Sequence, residues 1–446
     1  MALSLEAPPE TVDVVVIGAG PGGATTAARL AQSGHSVLLL ERRTHPRFHI
    51  GESLLPPCNA IFEKLGVLER IKEQGYVVKY GAEFSGGKRG DKHGRIPFSE
   101  QGEGRHPTTF QTERAHFDRI LSEFAQECGA HFIQEAVVQE LLHENGRVVG
   151  VRYDHGGGSH TVRSRFVIDA GGRASKVAQT FGLRRYPESL RMVALYRHFT
   201  DMDERYNPGV EGDIQIGGHK DGWVWAIPIW SDTISVGAVM PRDVLRNSGR
   251  DREAVFNDHV SRIGRIEQRI TGTRPHTPLH VEADYCYYSD TMAGPGWFMV
   301  GDAACFFDPI FSGGVFLAMT TAIRAADTTH AILAEPEREE QLQLDYTNFY
   351  KTGYDIYARL IHAYYEYDYN LRPFLQSVGM DLAGDGLATN KWLVRLVSGD
   401  FWSDKNALNL ELRKESRWDT FAPFEPVWGC PFYEHLNQAE EPMVLS

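Results

Sequence analysis

Apolar and polar positions repeat along this chain with changing periods, and each period predicts a different kind of element. Val12 to Ile17 is apolar and β-branched apart from Asp13, the pattern of a strand buried in a parallel sheet. Ala24 to Ala31 continues as a helix, and Val37-Leu-Leu-Leu40 is a second buried strand. Helical patterns follow at Asn59 to Leu65 and Leu68 to Gln74. Arg114 to Cys128 is amphipathic, with Phe117, Leu121 and Phe124 at helical spacing. Lys79 to Phe84 reads as a strand, and the polar, glycine-rich stretch Ser85 to His106 as a mobile loop. Ala136 to Glu144 and Val148 to Asp154 flank Asn145-Gly146, a pair suited to a two-residue primed turn, so they predict a hairpin. A polar turn at Gly156 to Ser159 leads into a strand ending at Val167-Ile-Asp-Ala-Gly-Gly172.

The texture changes at Arg191. From there to Pro278 strand alternation dominates, at Val193 to Phe199, Asp213 to Ile216, Trp223 to Ile229 and Thr233 to Val239, with one helix around Arg252 to Ile263. Trp297-Phe-Met-Val-Gly-Asp302 restores a buried strand, and a helix from Gly314 to Leu333 follows. Beyond Asp345 the chain is aromatic and helical: Tyr346, Tyr350, Tyr354, Tyr357 and Ile361 share a helix face, and Tyr364 to Tyr369 comes next. That stripe fits either a core-facing helix or a lid over a substrate tunnel. The proline-rich tail from Trp418 to Leu436 predicts coil packed over another surface. The division expected is a discontinuous nucleotide-binding domain, 1–190 and 279–335, a β-sheet substrate domain, 191–278, and a helical or coil region, 336–446.

Composition narrows the class. The chain has 446 residues, 42% hydrophobic and 24% charged, ordinary for a globular enzyme and long for one core. A net charge of -13 argues against a nucleic-acid partner. The five cysteines include no C-x-x-C pair, which fits a reducing cytoplasm and offers no metal-site spacing. Met1 to Thr11 lacks the regions of a signal peptide, and no apolar run approaches a membrane span of about 20 residues.

The chemistry starts at Asp13-Val-Val-Val-Ile-Gly18-Ala-Gly20-Pro-Gly-Gly23. Gly18, Gly20 and Gly23 form G-x-G-x-x-G between a strand and a helix: one glycine for the tight turn, one for close approach to a pyrophosphate, one for helix–strand packing. The helix N-terminus presents amides and a positive dipole end to phosphate. Glu41, at the end of the second strand, is placed to bind ribose hydroxyls.

Gly18, Gly20, Gly23, Glu41 and Gly301-Asp302 with a helix after it together resemble the flavin-binding half of the glutathione-reductase-type monooxygenases. The likeness implies an α/β fold, a Rossmann-like FAD-binding domain carrying an inserted antiparallel β-sheet substrate domain, with a helical C-terminal region. It implies FAD rather than NAD, with Asp302 on the ribityl chain and Arg114 of Gln111-Thr-Glu-Arg114 along the cofactor. Arg42 and Gly314 would join them, and the helix at Gly314 would point its N-terminus at the isoalloxazine. A helix N-cap carboxylate is the plainer reading of Asp302.

Further stretches resemble the flavin-dependent halogenases from residue 12 to about 330, nearest the subgroup acting on phenol or pyrrole rings, often on a carrier protein. They are His49-Ile-Gly-Glu-Ser-Leu-Leu-Pro56, Lys79-Tyr-Gly-Ala, Trp223-x-Trp225-x-Ile227-Pro228 and Gly301 to Gly314. The resemblance implies that reduced FAD from a separate reductase reacts with O2 to a hydroperoxide, and that chloride or bromide converts it to hypohalous acid. Lys79 would polarise that acid as an ammonium or carry the halogen as an amine. Trp223 and Trp225, on one strand face with Ile227 and Pro228, would wall flavin from substrate as stacked indoles; the plainer reading is a pair of core aromatics. Ser312, Gly313 and Gly314 would offer amides to the halide, or serve only as a capping turn. Tryptophan halogenases carry a glutamate just before that serine; here the position is Phe311, so a Lys–Glu mechanism does not transfer and a phenol or pyrrole is favoured over an indole.

The expected activity is halogenation of an electron-rich aromatic ring, free or on a carrier protein, by a cytoplasmic enzyme. The rival is an aromatic hydroxylase that reduces its own FAD with NADPH, to which Asp169-Ala-Gly-Gly-Arg173 lends some likeness. A prenyl-chain reductase shares the Gly-Asp region but gives no reason for Lys79, Trp223 and Trp225.

Overall fold

The computed structural model describes residues 9–203, 212–380, 390–418 and 420–433. Its first sheet runs, in spatial order, Ala293–Gly294, Trp297–Met299, Gly158–Asp169, Thr11–Ile17, Val37–Leu40 and His131–Ile133. The four neighbouring pairs from Trp297–Met299 to His131–Ile133 are parallel, as the buried apolar runs require. Helices Pro21–Gln32, Arg114–Glu127 and Gly314–Ala334 cover it, and the hairpin Val137–Glu144/Arg147–His155 extends from Gly158–Asp169. Asn145 (φ 51°) and Gly146 (φ 79°) both adopt the left-handed conformation that the primed turn demands.

The second sheet orders Arg274–Pro275, Met192–Thr200, Ile234–Pro241, Gly222–Pro228, Ile214–His219, Gly81–Gly86 and Lys92–Pro97, with His280–Ala283 also on Met192–Thr200. It is antiparallel except where Gly81–Gly86 joins Ile214–His219. Alternation along Gly222–Pro228 splits its side chains between two cores. Val224 and Ala226 pack with Val255 and Phe256 of helix Arg252–Ser261, while Trp223, Trp225 and Ile227 face the core shared with the nucleotide domain.

Two expectations are corrected here. Ser85 to His106 is not simply a loop: Lys92–Pro97 is an edge strand whose pairing with Gly81–Gly86 is carried by backbone, since Ile96 is its one buried side chain. Lys79 to Phe84 is two strands, because Val77–Lys79 pairs with Thr109–Gln111 and the chain breaks at Tyr80, whose amide bonds Asp213 Oδ1 (3.0 Å). Strands from 81–97 and 280–283 thus belong to the sheet expected only within 191–278. The tail is coil at 420–433; the rest of the stretch expected to reach Leu436 lies outside the described residues, as do 1–8 of the N-terminal stretch.

Candidate active site

The nucleotide crevice is built at the end of the first strand. Gly18 has φ +91°, and a Cβ there would lie 2.7 Å from Ala170 O. A Cβ on Gly23 would lie 1.8 Å from Gly18 O, so neither position accepts a side chain. At Gly20 the nearest atom to such a Cβ is Arg47 Nη2 at 3.7 Å: this glycine leaves bare backbone facing open space. Glu41 is buried, with Oε2 accepting from Ala19 N (3.0 Å) and Oε1 from Arg43 N (3.0 Å). Its charged neighbour is Arg47 (3.5 Å), which the sequence reading missed; Arg42 is exposed and forms no ion pair among the described residues.

Helix Arg114–Glu127 fixes the loop between Glu41 and Pro57. Arg114 grips buried Asp118 with both Nε (2.7 Å) and Nη2 (3.1 Å) and donates from Nη1 to Ile50 O (2.6 Å). Arg47 takes Asp118 Oδ2 from the other side (3.1 Å). Against the cost of burial, these two guanidinium groups hold the Asp118 carboxyl below its usual range. One residue of that loop, Glu52, clamps it to the second sheet: Oε1 meets His198 Nε2 at 2.6 Å, both side chains buried.

Asp302 lies in the turn after Trp297–Met299, where Gly301 (φ +53°) lets the backbone approach Ala318 of the following helix. Among the described residues nothing hydrogen-bonds the Asp302 carboxyl. Desolvation pushes it up to about 7, opposed by Arg114, Arg184 and Arg173. A carboxyl with no donor among the described residues suits a ligand hydroxyl. Open glycine backbone, a helix N-terminus and the carboxylates Glu41 and Asp302 form the donor and acceptor set of FAD, so the residues present fit that cofactor. Asp169, by contrast, is consumed structurally, accepting from Gly171 N, Ser175 Oγ and Val177 N, each at 2.8 Å.

Lys79 is 1% exposed, with Nζ donating to Leu54 O at 2.9 Å and lying 5.1 Å from the centre of the Phe98 ring. Among the described residues no carboxylate pairs with it. Desolvation lowers the ammonium to about 7, with Asp213 and Cys58 opposing. Sequence could not separate it from Lys72 and Lys88; both are exposed, and Lys72 pairs with Glu69 at 2.7 Å.

Trp223, Trp225, Ile227 and Pro228 are all buried. The two indoles are 5.7 Å apart but tilted at 44°, not stacked, because each is anchored separately. Trp223 Nε1 donates to Tyr365 Oη (2.8 Å); Trp225 Nε1 donates to Ser235 Oγ (3.3 Å) and its ring lies over Gly237, where a Cβ would come within 2.2 Å. Phe311 packs edge-on against Tyr364 (5.5 Å) and near Phe84 (6.1 Å). Ser312 has φ 57°, Gly313 N donates to Tyr357 Oη (3.3 Å), and Gly314 opens helix Gly314–Ala334.

The tyrosine stripe faces the core, and its hydroxyls read the backbone carrying these turns. Tyr346, Tyr350 and Tyr357 of helix Glu339–Glu366 donate to the carbonyls of Met299, Gly301 and Asp308, each at 2.6 Å. Tyr365 adds a bond to the Asp308 carboxyl (2.9 Å). Neither this ladder nor Asp308 was found from sequence; helical spacing located the stripe but not its acceptors.

Comparison with known proteins agrees with this geometry. The FAD binding domain family matches residues 11–348. A tryptophan 2-halogenase of Chondromyces crocatus is 30% identical over 364 residues, 80% of this chain and 68% of that protein. A 1H-pyrrole-2-carbonyl-(peptidyl-carrier protein) brominase of Pseudoalteromonas luteoviolacea is 31% identical over 321 residues, 71% of this chain and 77% of that one. The solved myxobacterial chondrochloren halogenase, a variant of the FAD-dependent halogenases, matches with a TM-score of 0.77 at 32% identity, covering 88% of this chain and 90% of that one. The chain therefore belongs to the flavin-dependent halogenases and is an FAD-binding oxidoreductase of that family.

Proposed function

We propose that this enzyme halogenates a phenol or pyrrole ring by electrophilic substitution, with Lys79 as the residue that meets the oxidant. The observation that carries the reading is a buried lysine with no carboxylate partner among the described residues, held against the Gly51-Glu-Ser53 loop through Leu54 O. Bound and reduced, FAD supplies hypohalous acid from O2 and chloride or bromide. The Lys79 ammonium donates a hydrogen bond to the acid's oxygen, which makes the halogen the electrophile. The ring carbon forms its bond to halogen as the O–X bond breaks; the ring then loses its proton and water leaves. Glu41, Arg47 and Arg114 position the cofactor by their charges and the loop they order, and Asp302 accepts a ribityl hydroxyl. The tilted Trp223/Trp225 wall keeps substrate from the cofactor, and the turn at Ser312–Gly314 offers the halide its Gly314 amide, since Ser312 N is spent on Pro309 O and Gly313 N on Tyr357 Oη. Phe311 replaces a second acid with an apolar ring, which suits a substrate activated by its own oxygen or nitrogen.

The reduced flavin comes from a separate reductase, since the sequence carries no second nucleotide motif. Among the described residues no helix is long and apolar enough to cross a membrane. Five free cysteines fit a cytoplasmic setting. The pyrrole-carrier relative makes a carrier-tethered pyrrole the first substrate to try, beside free phenols. The test supplies reduced FAD with an independent reductase, adds bromide or chloride, and reads the halogen isotope pattern in the product. Bromide-dependent substitution is expected. Hydroxylated product, with NADPH consumed by the purified protein alone, overturns the reading.

A further inference from the structure

Asp308 lies between the Gly-Asp turn and the Ser-Gly-Gly turn, and its carboxyl is 1% exposed. Oδ2 accepts from Tyr285 (3.1 Å) and Tyr365 (2.9 Å), and Oδ1 from the Ile310 amide (3.0 Å). Its backbone carbonyl accepts from Tyr357 Oη, which in turn accepts from Gly313 N. Among the described residues no lysine, arginine or histidine pairs with it. The titratable groups facing it are Tyr285 and Cys286 beyond His280–Ala283, Tyr357, Tyr364 and Tyr365 on helix Glu339–Glu366, and Tyr369 after it. Burial, with Asp308's own charge, pushes every one of them upward, so all stay neutral while Asp308 titrates. Burial likewise pushes the Asp308 carboxyl up to about 7.

An anion entering the Ser312–Gly314 turn would thus join a network, through Gly313 N and Tyr357, that already carries a buried carboxylate and, among the described residues, no cation. Like charges in a water-poor site repel strongly, and the cheaper arrangement keeps only one of them. We propose that Asp308 takes up a proton when a halide binds, so that the site admits halide and proton together. The inference rests on the reading of Ser312–Gly314 as the halide turn. Asp308 acts through its charge and through the tyrosines that join it to Gly313 and to Trp223, without touching the halide; it is a positioning residue. The proton comes from solvent and returns to it when the halide is consumed.

Two measurements test this on the FAD-loaded enzyme. The first follows proton uptake with an indicator dye in weak buffer as bromide is added near pH 8, without turnover. Wild type should take up about one proton per site and Asp308→Asn none. The second follows KM for bromide from pH 6 to 9. In wild type it should rise above pH 7 toward a limit of about tenfold per pH unit. In Asp308→Asn it should stay flat at or below the wild-type low-pH value, with kcat within about tenfold of wild type. Tyr365→Phe removes one donor to the ionised carboxylate, so the bend should move to higher pH; this variant keeps the test open if Asp308→Asn fails to fold. Proton uptake or a pH-dependent KM retained in Asp308→Asn overturns the role of Asp308. Saturable, pH-independent bromide dependence in wild type overturns the coupling while leaving the halide turn standing. Absence of any saturable bromide dependence overturns both.

Discussion

Replacing Lys79 by methionine keeps most of the side chain's length and removes its charge, which separates the two consequences of burying a lysine. Lowering an ammonium from 10.5 to about 7 costs the folded state about 5 kcal/mol when the group is charged. Between those values the unfolded chain binds more protons than the folded one, so stability rises with pH there. The penalty is full below pH 7 and gone above pH 10.5. Methionine escapes it but leaves Leu54 O without its donor, a loss of about 1–2 kcal/mol. The net is a gain of about 3 kcal/mol at pH 6 and none at pH 10. For a chain of this length that corresponds to a Tm about 3 °C higher at pH 6, from an unfolding entropy of about 2 cal/mol/K per residue. The assay is a thermal melt of wild type and Lys79→Met across pH 6 to 10, paired with halogenation measured under one reductase supply. Halogenation should vanish while stability rises at low pH. A gain that does not fade toward pH 10 refutes the account of Lys79 as a desolvated ammonium, and full activity in the variant removes it from the chemistry. Lys79→Arg separates its two roles: a permanent cation retains halogenation if polarisation is the job and loses it if the amine carries the halogen.

Three further outcomes follow from the same geometry. Gly23→Ala places a Cβ 1.8 Å from Gly18 O, so the purified protein should come through gel filtration without FAD. Asp302→Ala should weaken FAD binding by about tenfold or more, read by flavin fluorescence titration, through loss of one charge-assisted hydrogen bond. Because a carboxyl raised to about 7 makes stability fall as pH climbs from 3.8 through 7, the FAD-free variant should melt higher than FAD-free wild type at pH 8 but not at pH 4. Glu52→Ala should cost about 3–5 kcal/mol by stranding buried His198, seen as a lower denaturant midpoint. The imidazole is raised by Glu52 against the effect of burial, so the pair's contribution is full below pH 6.5 and lost as pH rises through the folded value; the deficit of Glu52→Ala should shrink accordingly.

Legibility followed the range over which each signal acts. The nucleotide motif is local: a glycine at 18 that must take φ +91°, a second at 23 against Gly18 O, and a carboxylate ending the next strand all lie within thirty residues of one another. The hairpin at Asn145-Gly146 is local for the same reason. Lys92–Pro97 was missed because its pairing is written in the backbone of Gly81–Gly86 and hardly in its own side chains. Arg47 was missed because it stands six positions beyond Glu41, and only the loop held by Arg114 and Asp118 turns it back to that carboxylate.

By itself the sequence determined the fold class, the FAD-binding motif and the family, since periodicity, glycine conformation and motif order are properties of neighbouring residues. Only the tertiary structure decided which lysine is desolvated, how the two indoles are tilted, and that Asp308 is buried among tyrosines with no cation among the described residues. Those properties depend on what chain segments tens of residues or more apart remove from water. Leu54 and Phe98 enclose Lys79, Tyr365 holds Trp223, and Tyr285 and Tyr365 close over Asp308. Desolvation and electrostatic coupling arise from that enclosure, and no local pattern encodes it.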